Sequence, residues 1–446
     1  MEQDTLSDDA NRATMRGIAW RLLPFLVVIY IVAWLDRVNV GFAALQMNRD
    51  LGFGPAVYGF GAGVFFVSYA AFEVPSNLML ARVGARRWIA RIMISWGVVS
   101  TAMVFVRSPA SFYVLRFLLG AAEAGCYPGI VYYLGGWFPH VQRARVLATF
   151  AISIPIASIL GGPLAGSLLS LNGHFGLSGW QWLFVVEGLP AVILGLIVLR
   201  WLPDSPSVAK WLNRSQKTSL LERLEQDRRE TGSLQDTSVR DALTNRTIWM
   251  LGLVQALATT QAYGLQFWVP QILKTLSGRS DFIVGFLAAL PYIAAPVTML
   301  LVARHSDLSQ ERCLHVAVPS FLASAAFVGA SYASTPAIAI FALTVAAAAM
   351  YSRIGPLFAI PTLLFDGAPA AVAIAMMNTL GSVGGFVGPY AVGIVKNATG
   401  SYRGGLLFLA IAGALAGGIA LTLRRHPAIR QRSSTTACQK VTSVVS

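Results

Sequence analysis

The sequence predicts an all-α membrane protein with about twelve transmembrane helices. Of its 446 residues, 55% are hydrophobic and only 12% are charged, and a soluble protein this apolar could not cover its surface with polar groups. Apolar runs long enough to cross about 30 Å of hydrocarbon recur along nearly the whole chain. We therefore expect the lipid bilayer to be the solvent for most of the chain.

The apolar runs fall into two groups of six. The predicted spans are 18–42, 57–81, 87–106, 110–138, 144–171 and 180–202, then 247–273, 282–303, 313–333, 337–365, 371–396 and 402–424. A charged stretch separates the groups, and LNRSQKTSLLERLEQDRRE within it predicts a short amphipathic surface helix. The expected organisation is a tail 1–17, a bundle 18–202, a central loop 203–246, a second bundle 247–424 and a basic tail 425–446.

The two groups of spans resemble each other in sequence. GPLAGSLLSLNG (162–173) lies in the fifth span, and GPYAVGIVKNATG (388–400) lies in the eleventh, at the same place within its half. ARVGARRW (81–88) follows the second span, as ARHSDLSQER (303–312) follows the eighth. This pattern predicts two six-helix repeats with a binding site between them, near the middle of the membrane.

The positive charge indicates orientation rather than a nucleic-acid partner. With both termini in the cytoplasm, the inner segments carry 23 of the 34 Lys and Arg residues, and the outer loops carry 6. Cytoplasmic loops are enriched in these residues, so we expect a bacterial inner-membrane protein with cytoplasmic termini. The acidic start MEQDTLSDD predicts no cleavable signal peptide.

Nothing in the sequence predicts an enzyme. There is no Ser/His/Asp set, no phosphate-binding loop and no metal-ligand spacing, and the five His residues are scattered in or near loops. Cys126, Cys313 and Cys438 are isolated, which predicts neither a disulfide framework nor a metal site. We expect no cofactor.

Among the ionisable residues inside predicted spans, four are the main candidates: Asp36 and Arg37 in the first, Arg116 and Glu123 in the fourth. Each costs about 2.5–3.5 kcal/mol to insert, so such residues are candidates for function. Arg116 and Glu123 lie on one helix face about 10.5 Å apart, too far for a direct ion pair. Two structural alternatives stay open: Asp36 and Arg37 as an interfacial anchor, and an Arg116–Asp36 ion pair.

Other polar residues in the spans are weaker candidates. Glu73 is interpreted as a gate or packing residue rather than a proton carrier, and Glu187 is left unassigned. Arg353 either extends its charge to the membrane surface or binds an anion. Among the neutral side chains, Asn378 is favoured because lipid cannot satisfy a carboxamide. The remaining candidates for hydrogen bonds to a ligand are Tyr69, Tyr263 and Gln266.

Several long strings resemble one family. AWLDRVNVGFAALQMNRDLGF, FFVSYAAFEVPSN, FYVLRFLLGAAEAGCYPG and LSGWQWLFVVEGLPAV are similar to the anion:cation symporter family of the major facilitator superfamily. The resemblance runs from about residue 18 to 424. Its relatives include bacterial permeases for tartrate, galactonate, glucarate, phthalate and hydroxyphenylacetate, vesicular glutamate transporters and sialin. It implies the major facilitator fold.

The resemblance also implies roles for the buried charges. It assigns proton coupling to Asp36 and Glu123, and binding of the substrate carboxylate to Arg37 and Arg116. It places Tyr69 and Asn378 in the polar part of the site.

The sequence departs from the family in two places. In the loop after the second span the superfamily motif has Gly, then Asp-Arg, where this chain has Asn77 and Ala81; many members of the family also lose the Asp, and the change predicts a weakened inner gate. The rest of the expected gate and loop set is Glu73, Arg82, Gly84, Arg86, Arg87 and, in the second half, Asp307.

In the tenth span PLFAIP has Phe358 where relatives have Trp, which predicts a different substrate.

The resulting prediction is a monomeric transporter that imports a small organic carboxylate with protons by alternating access. The carboxylate is a hydroxy acid, a sugar acid or an aromatic acid. An exchanger or exporter is the main alternative, since the Gly-Pro string at 162–166 is faintly similar to a motif of drug–proton antiporters, although Ser158 stands where that motif has Gly. A membrane sensor that moves nothing is a remote alternative.

Overall fold

The computed structural model describes residues 2–232, 244–364 and 368–426. Within those ranges the chain is helical, with three short 3₁₀ turns and no strand. The first half contains α1 Glu2–Leu51, α2 Pro55–Val83, α3 Ala85–Ala102, α4 Pro109–Glu123, α5 Cys126–Gly135, α6 His140–Ala151, α7 Ser153–Leu169, α8 Gly179–Trp201 and the surface helix α9 Arg214–Gly232. The second half contains α10 Arg246–Ser277, α11 Asp281–Ile293, α12 Ala295–Ser309, α13 Cys313–Ser331, α14 Pro336–Ser352, α15 Ile354–Leu364, α16 Ala368–Thr399 and α17 Arg403–Leu423.

The predicted all-helical membrane architecture is confirmed. Eleven helical segments of the described chain are long and apolar enough to cross a membrane. Helix α10 covers the seventh predicted span, the one that is not among these eleven, because glutamines and threonines interrupt its 32 residues. Helix α9 occupies the charged stretch, where an amphipathic helix was expected. Most of the predicted basic tail lies outside the described residues.

Contacts between the two halves follow the repeat in the sequence. Helix α2 of the second span packs against α16 of the eleventh, and α7 of the fifth packs against α11 of the eighth. The repeat relates the second span to the eighth and the fifth to the eleventh, so the two contacts are equivalent. Helix α1 packs against α10, its own equivalent. The described structure therefore has the pseudo-twofold arrangement that the repeated strings predict.

Glycines allow the halves to approach at one end of these helices. A Cβ atom on Gly162 would lie 2.3 Å from the carbonyl oxygen of Gly285, and one on Gly59 would lie 2.7 Å from that of Pro389. Real Cβ atoms do not come this close to a carbonyl oxygen, so only glycine fits. Small residues permit such backbone contact between membrane helices. The GPLAG and GPYAVG strings lie in these two contacts.

Hydrogen bonds between the halves lie at the same end. The hydroxyl of Tyr58 donates to the carbonyl oxygen of Phe267 at 2.8 Å, and the Gln46 amide donates to Asp281 Oδ2 at 2.9 Å. Asp281 also accepts from Lys274 Nζ at 2.7 Å. We call this the sealed end; it carries the turns 52–54, 170–178 and 278–280. The opposite end, which carries the helix start of α1 and the segment 203–213, is the open end.

Two spans are broken at equivalent places in the two halves. The fourth span is interrupted after Glu123, where Gly125 adopts a left-handed conformation with φ of 86°. A side chain there would also meet Ser76 Oγ, 2.4 Å from an added Cβ. The tenth span is interrupted at Arg353, between α14 and α15. Interrupted spans at corresponding positions of two repeats point to a binding site, and each break carries a charged residue.

The glycine contact between α7 and α11 generates the first prediction. Replacing Gly285 by Leu forces a side chain into the backbone of α7, so the sealed end should separate. Spin labels at the exposed positions His174 and Arg279, on a background without native cysteines, should report a longer distance than in the parent protein. Gly418→Ala is the control, because nothing lies within 4 Å of its added Cβ. An unchanged distance in the Leu variant would mean that glycine packing does not hold this end closed.

Candidate functional site

A cavity of about 260 Å³ lies between the two halves. Eight residues expected from the sequence line it: Arg37, Tyr69, Glu73, Tyr263, Gln266, Arg353, Phe358 and Asn378. The sequence also proposed Asp36, Glu123 and Arg116, which lie behind the cavity wall. Both halves contribute to the lining, as expected for a site between two repeats.

An ion pair joins the first and fourth spans at the wall of this cavity. The guanidinium of Arg37 on α1 donates directly to Glu123 Oε1, at the end of α4. Both side chains are buried, at 7% and 0% exposure. The ring of Tyr69 lies 5.0 Å from the same guanidinium. The arginine is therefore held in place by a carboxylate and an aromatic ring, and it still borders the cavity.

Asp36 points away from this pair. Its Oδ1 accepts hydrogen bonds from the hydroxyl of Ser100 on α3 and from the amide of Asn39, the latter at 3.1 Å. Successive residues on a helix point about 100° apart, which is why Asp36 and Arg37 face different neighbours. Both are buried, so the interfacial-anchor alternative is wrong.

Arg116 occupies a different environment from the one expected. It is fully buried and donates to the carbonyl oxygens of Gly61 and Ala62, each at 3.3 Å. The ring of Phe65 lies 5.0 Å from its guanidinium. No ion pair with Asp36 forms among the described residues, so that alternative is wrong. Arg116 does not border the cavity in this conformation, and its role in substrate binding stays a prediction.

Arg353 lies at the break in the tenth span and is 2% exposed. Its guanidinium donates to Gln261 Oε1 at 2.8 Å, to Ser320 Oγ at 3.0 Å and to the carbonyl oxygen of Ala258 at 3.0 Å. The alternative in which it reaches the membrane surface is therefore wrong. All three partners are neutral, so the positive charge has no carboxylate partner within the described part of the chain.

The sequence reasoning missed most of the aromatic lining. Trp34 donates from Nε1 to Ser158 Oγ at 3.0 Å, and Tyr351 Oη lies 3.4 Å from the same hydroxyl. Tyr30 and Tyr127 line the cavity as well. Tyr30, Trp34 and Arg37 recur at helical spacing, so the 3.6-residue period could have placed them on one face.

The loop residues of the expected inner gate bond within their own halves. Gly84 has φ of 95° and ends α2. The backbone N–H of Arg86 donates to Asp204 Oδ1 at 2.9 Å, and the Arg86 guanidinium also contacts Asp204. Arg82 and Arg87 are exposed.

The second half has its own bonded loop. Asp307 lies 2.6 Å from Arg312. None of the described pairs of these loop residues crosses between the halves, which agrees with an interface that is separated at the open end.

Comparisons with known proteins agree with this architecture. The sequence profile described as "Major Facilitator Superfamily" matches residues 26–389. The chain belongs to this superfamily. A "Putative tartrate transporter" of Agrobacterium vitis is 45% identical over 92% of this chain and 91% of its own length. A "Quinolone resistance transporter" of Acinetobacter baumannii is 40% identical over 97% of this chain and 99% of its own.

A solved structure shares the fold. It is a bacterial homologue of the human lysosomal transporter Spinster in an inward-facing and occupied conformation, with a TM-score of 0.75 and 18% identity, covering 91% of this chain and 96% of that one. The present chain, as a member of the superfamily, is a multi-pass membrane transporter of small organic molecules and not an enzyme. The expected twelve-helix fold is confirmed.

The buried Arg37–Glu123 pair generates a stability prediction. Removing one partner of a buried ion pair leaves an unpaired charge, at a cost of about 3–5 kcal/mol. Arg37→Met alone should therefore lower the midpoint of thermal unfolding in detergent. Adding Glu123→Met should recover most of the loss, because two apolar side chains replace both charges. A single variant as stable as the parent protein would contradict the pairing.

Proposed function

We propose that the protein imports a small organic carboxylate together with protons. The observation that carries the proposal is the Arg37–Glu123 pair at the cavity wall. A carboxylate on a substrate has the same chemistry as the carboxylate of Glu123, so the two compete for one guanidinium. Protonation of Glu123 removes its charge and leaves Arg37 free for the substrate.

This exchange couples protons to substrate by charge. Charge-assisted bonds between a guanidinium and a carboxylate are about twice as strong as neutral hydrogen bonds, so Arg37 favours whichever carboxylate is ionised. A proton on Glu123 together with a monoanion moves no net charge. Each additional proton would draw about 2.3 kcal/mol from every 100 mV of membrane potential. Asp36 is the candidate for an additional proton.

The contacts between the halves supply a route for alternating access. The sealed end rests on glycine contacts and a few hydrogen bonds, which can separate when the halves rotate against each other. The positive charges of the tail and loops make the open end the cytoplasmic one. We infer a monomer in the bacterial inner membrane, with both termini in the cytoplasm and the cavity facing inward.

Polar groups on the second half favour a substrate with more than one polar end. Arg353, Asn378 and Gln266 face the cavity across from Arg37. A second carboxylate would meet Arg353, and hydroxyls would meet the two amides. The 45% identical relative named for tartrate, a hydroxylated dicarboxylate, agrees with this chemistry. Hydroxy acids and sugar acids are therefore proposed ahead of aromatic acids.

An exporter is the second candidate. It is favoured by the relative named for quinolone resistance and by the aromatic lining, which includes Trp34, Tyr263 and Phe358. Planar compounds would stack on these rings. The buried ion pair favours a substrate with a carboxylate, which quinolones also carry, so the direction of transport relative to the proton gradient separates the two candidates.

Uptake into proteoliposomes tests the proposal. Labelled tartrate and sugar acids should accumulate when protons flow in with them, and the ionophore that abolishes the pH gradient should abolish accumulation. The Glu123→Gln variant should lose accumulation but keep substrate counterflow, since its Arg37 still binds. Accumulation of a quinolone against an opposed gradient, without carboxylate uptake, would support the exporter. Carboxylate uptake indifferent to the gradient would contradict proton coupling.

The second arginine generates a prediction about specificity. A hydrogen bond to a charged group contributes about 1.5–3 kcal/mol. Arg353→Gln should therefore weaken the binding of a dicarboxylate by roughly ten- to hundredfold. A monocarboxylate of similar size should lose much less binding affinity, because its one carboxylate binds Arg37 alone. Competition of each compound with labelled substrate measures this ratio. The matched control is Arg403→Gln at the sealed end, away from the cavity. Equal loss for both substrates would mean that Arg353 serves the fold instead.

A further inference from the structure

Glu187 is a buried carboxyl group that the mechanism above does not use. It lies in α8 at 4% exposure and does not border the cavity. No ion pair to it is present among the described residues. Helices α1, α3 and α7 and the turn Met103–Phe105 pack against α8. The one titratable group that faces Glu187 from these described elements is Asp36 on α1. Helix α3 presents only the hydroxyls of Ser100 and Thr101 on this side.

Asn39 connects the two carboxyl groups. Its amide nitrogen donates to Asp36 Oδ1 at 3.1 Å, and its side chain is also within hydrogen-bond reach of Glu187. Three oxygens in this cluster are buried without any hydrogen-bond donor: Asp36 Oδ2, Asn39 Oδ1 and Glu187 Oε2. Buried polar atoms in folded proteins almost always have a partner. The donors shown in this cluster, Asn39 and Ser100, both reach Asp36 Oδ1, so a proton on a carboxyl group would supply the donor that these three oxygens lack.

A count of buried charges leads to the same conclusion. Among the first-half side chains that the structure describes, three carboxyl groups are buried, Asp36, Glu123 and Glu187, and two guanidiniums, Arg37 and Arg116. Glu123 pairs with Arg37, and Arg116 is the remaining cation near Asp36. One carboxylate is therefore left without a compensating charge. Such a charge is costly inside a membrane span, and a single proton removes it.

We propose that Glu187 and Asp36 form a second proton-binding site, in which one proton on Glu187 neutralises the pair and Asn39 links the two carboxyl groups by hydrogen bonds. A protonated carboxyl group becomes a donor. The proton on Glu187 would supply the missing hydrogen bond to Asn39 Oδ1, while Asn39 continues to donate to Asp36. Two carboxyl groups this close bind their proton as a pair. This inference rests on the proposed function in one respect: the additional proton that was assigned to Asp36 would belong to Asp36 and Glu187 together.

Infrared spectroscopy of the substrate-free protein in potassium-containing vesicles tests the site at neutral pH. The parent protein should show the C=O stretch of a protonated carboxylic acid, and Glu187→Gln should remove that band. Glu73→Gln is the matched control, because Glu73 lines the cavity instead, and it should leave the band unchanged. Identical spectra of the parent and Glu187→Gln in this region would overturn the proposal.

A second variant keeps the test valid if Glu187→Gln does not fold. Asn39→Ala leaves both carboxyl groups but removes the partner of the proton, so the band should shift to higher frequency. An unshifted band would overturn the proposal, as would a band that disappears when sodium replaces potassium, because the oxygens would then bind Na⁺. These spectra need no transport. Loss of proton-coupled uptake would therefore leave their outcome unchanged, and their failure would leave the Arg37–Glu123 exchange standing.

Discussion

The cost of an unpaired charge in hydrocarbon determines how the first half of this transporter is arranged. Lipid supplies no partners, so every ionisable group in a span must find one within the protein. Arg37 and Glu123 meet each other, and their contact joins the first span to the break in the fourth. Arg116 uses backbone carbonyls instead. The cavity then has one arginine whose partner is itself titratable, and the proposed coupling of protons to an anion rests on that single contact.

The same demand for partners explains the asymmetry between the halves. Among its described residues, the second half buries one cation, Arg353, and surrounds it with neutral acceptors. An arginine bonded only to neutral groups keeps its charge available to an anion, whereas Arg37 must be released first. The first half would therefore respond to protons. The second half would respond to the polar or charged group at the other end of the substrate. Close glycine contacts allow the halves to move as bodies without rebuilding either site.

Much of the fold and of the candidate site could be predicted from the sequence. The cost of placing a charged side chain in the membrane points to the same residues that the structure buries. The spans, the repeat and the importance of Asp36, Arg37, Arg116 and Glu123 all follow from it. Partner choice could not be predicted, because it depends on how the helices are rotated. Arg116 and Asp36 therefore remain unpaired with each other, despite their similar depth. Helix α10 is predicted as a span by its apolar run, although its glutamines lower its hydropathy. The unpartnered oxygens around Asn39 could not be predicted either, because only three-dimensional contacts show which polar atoms lack a partner.

The most direct test of the central claim is the number of protons taken up when substrate binds. Purified protein in weakly buffered solution, at a pH where Glu123 is ionised in its pair with Arg37, should take up protons when a transported carboxylate is added. The substrate would displace Glu123 from Arg37, and the released carboxylate would bind a proton. Glu123→Gln should bind the same substrate with that proton uptake missing. Substrate binding by the parent protein without any proton uptake would contradict the exchange at Arg37.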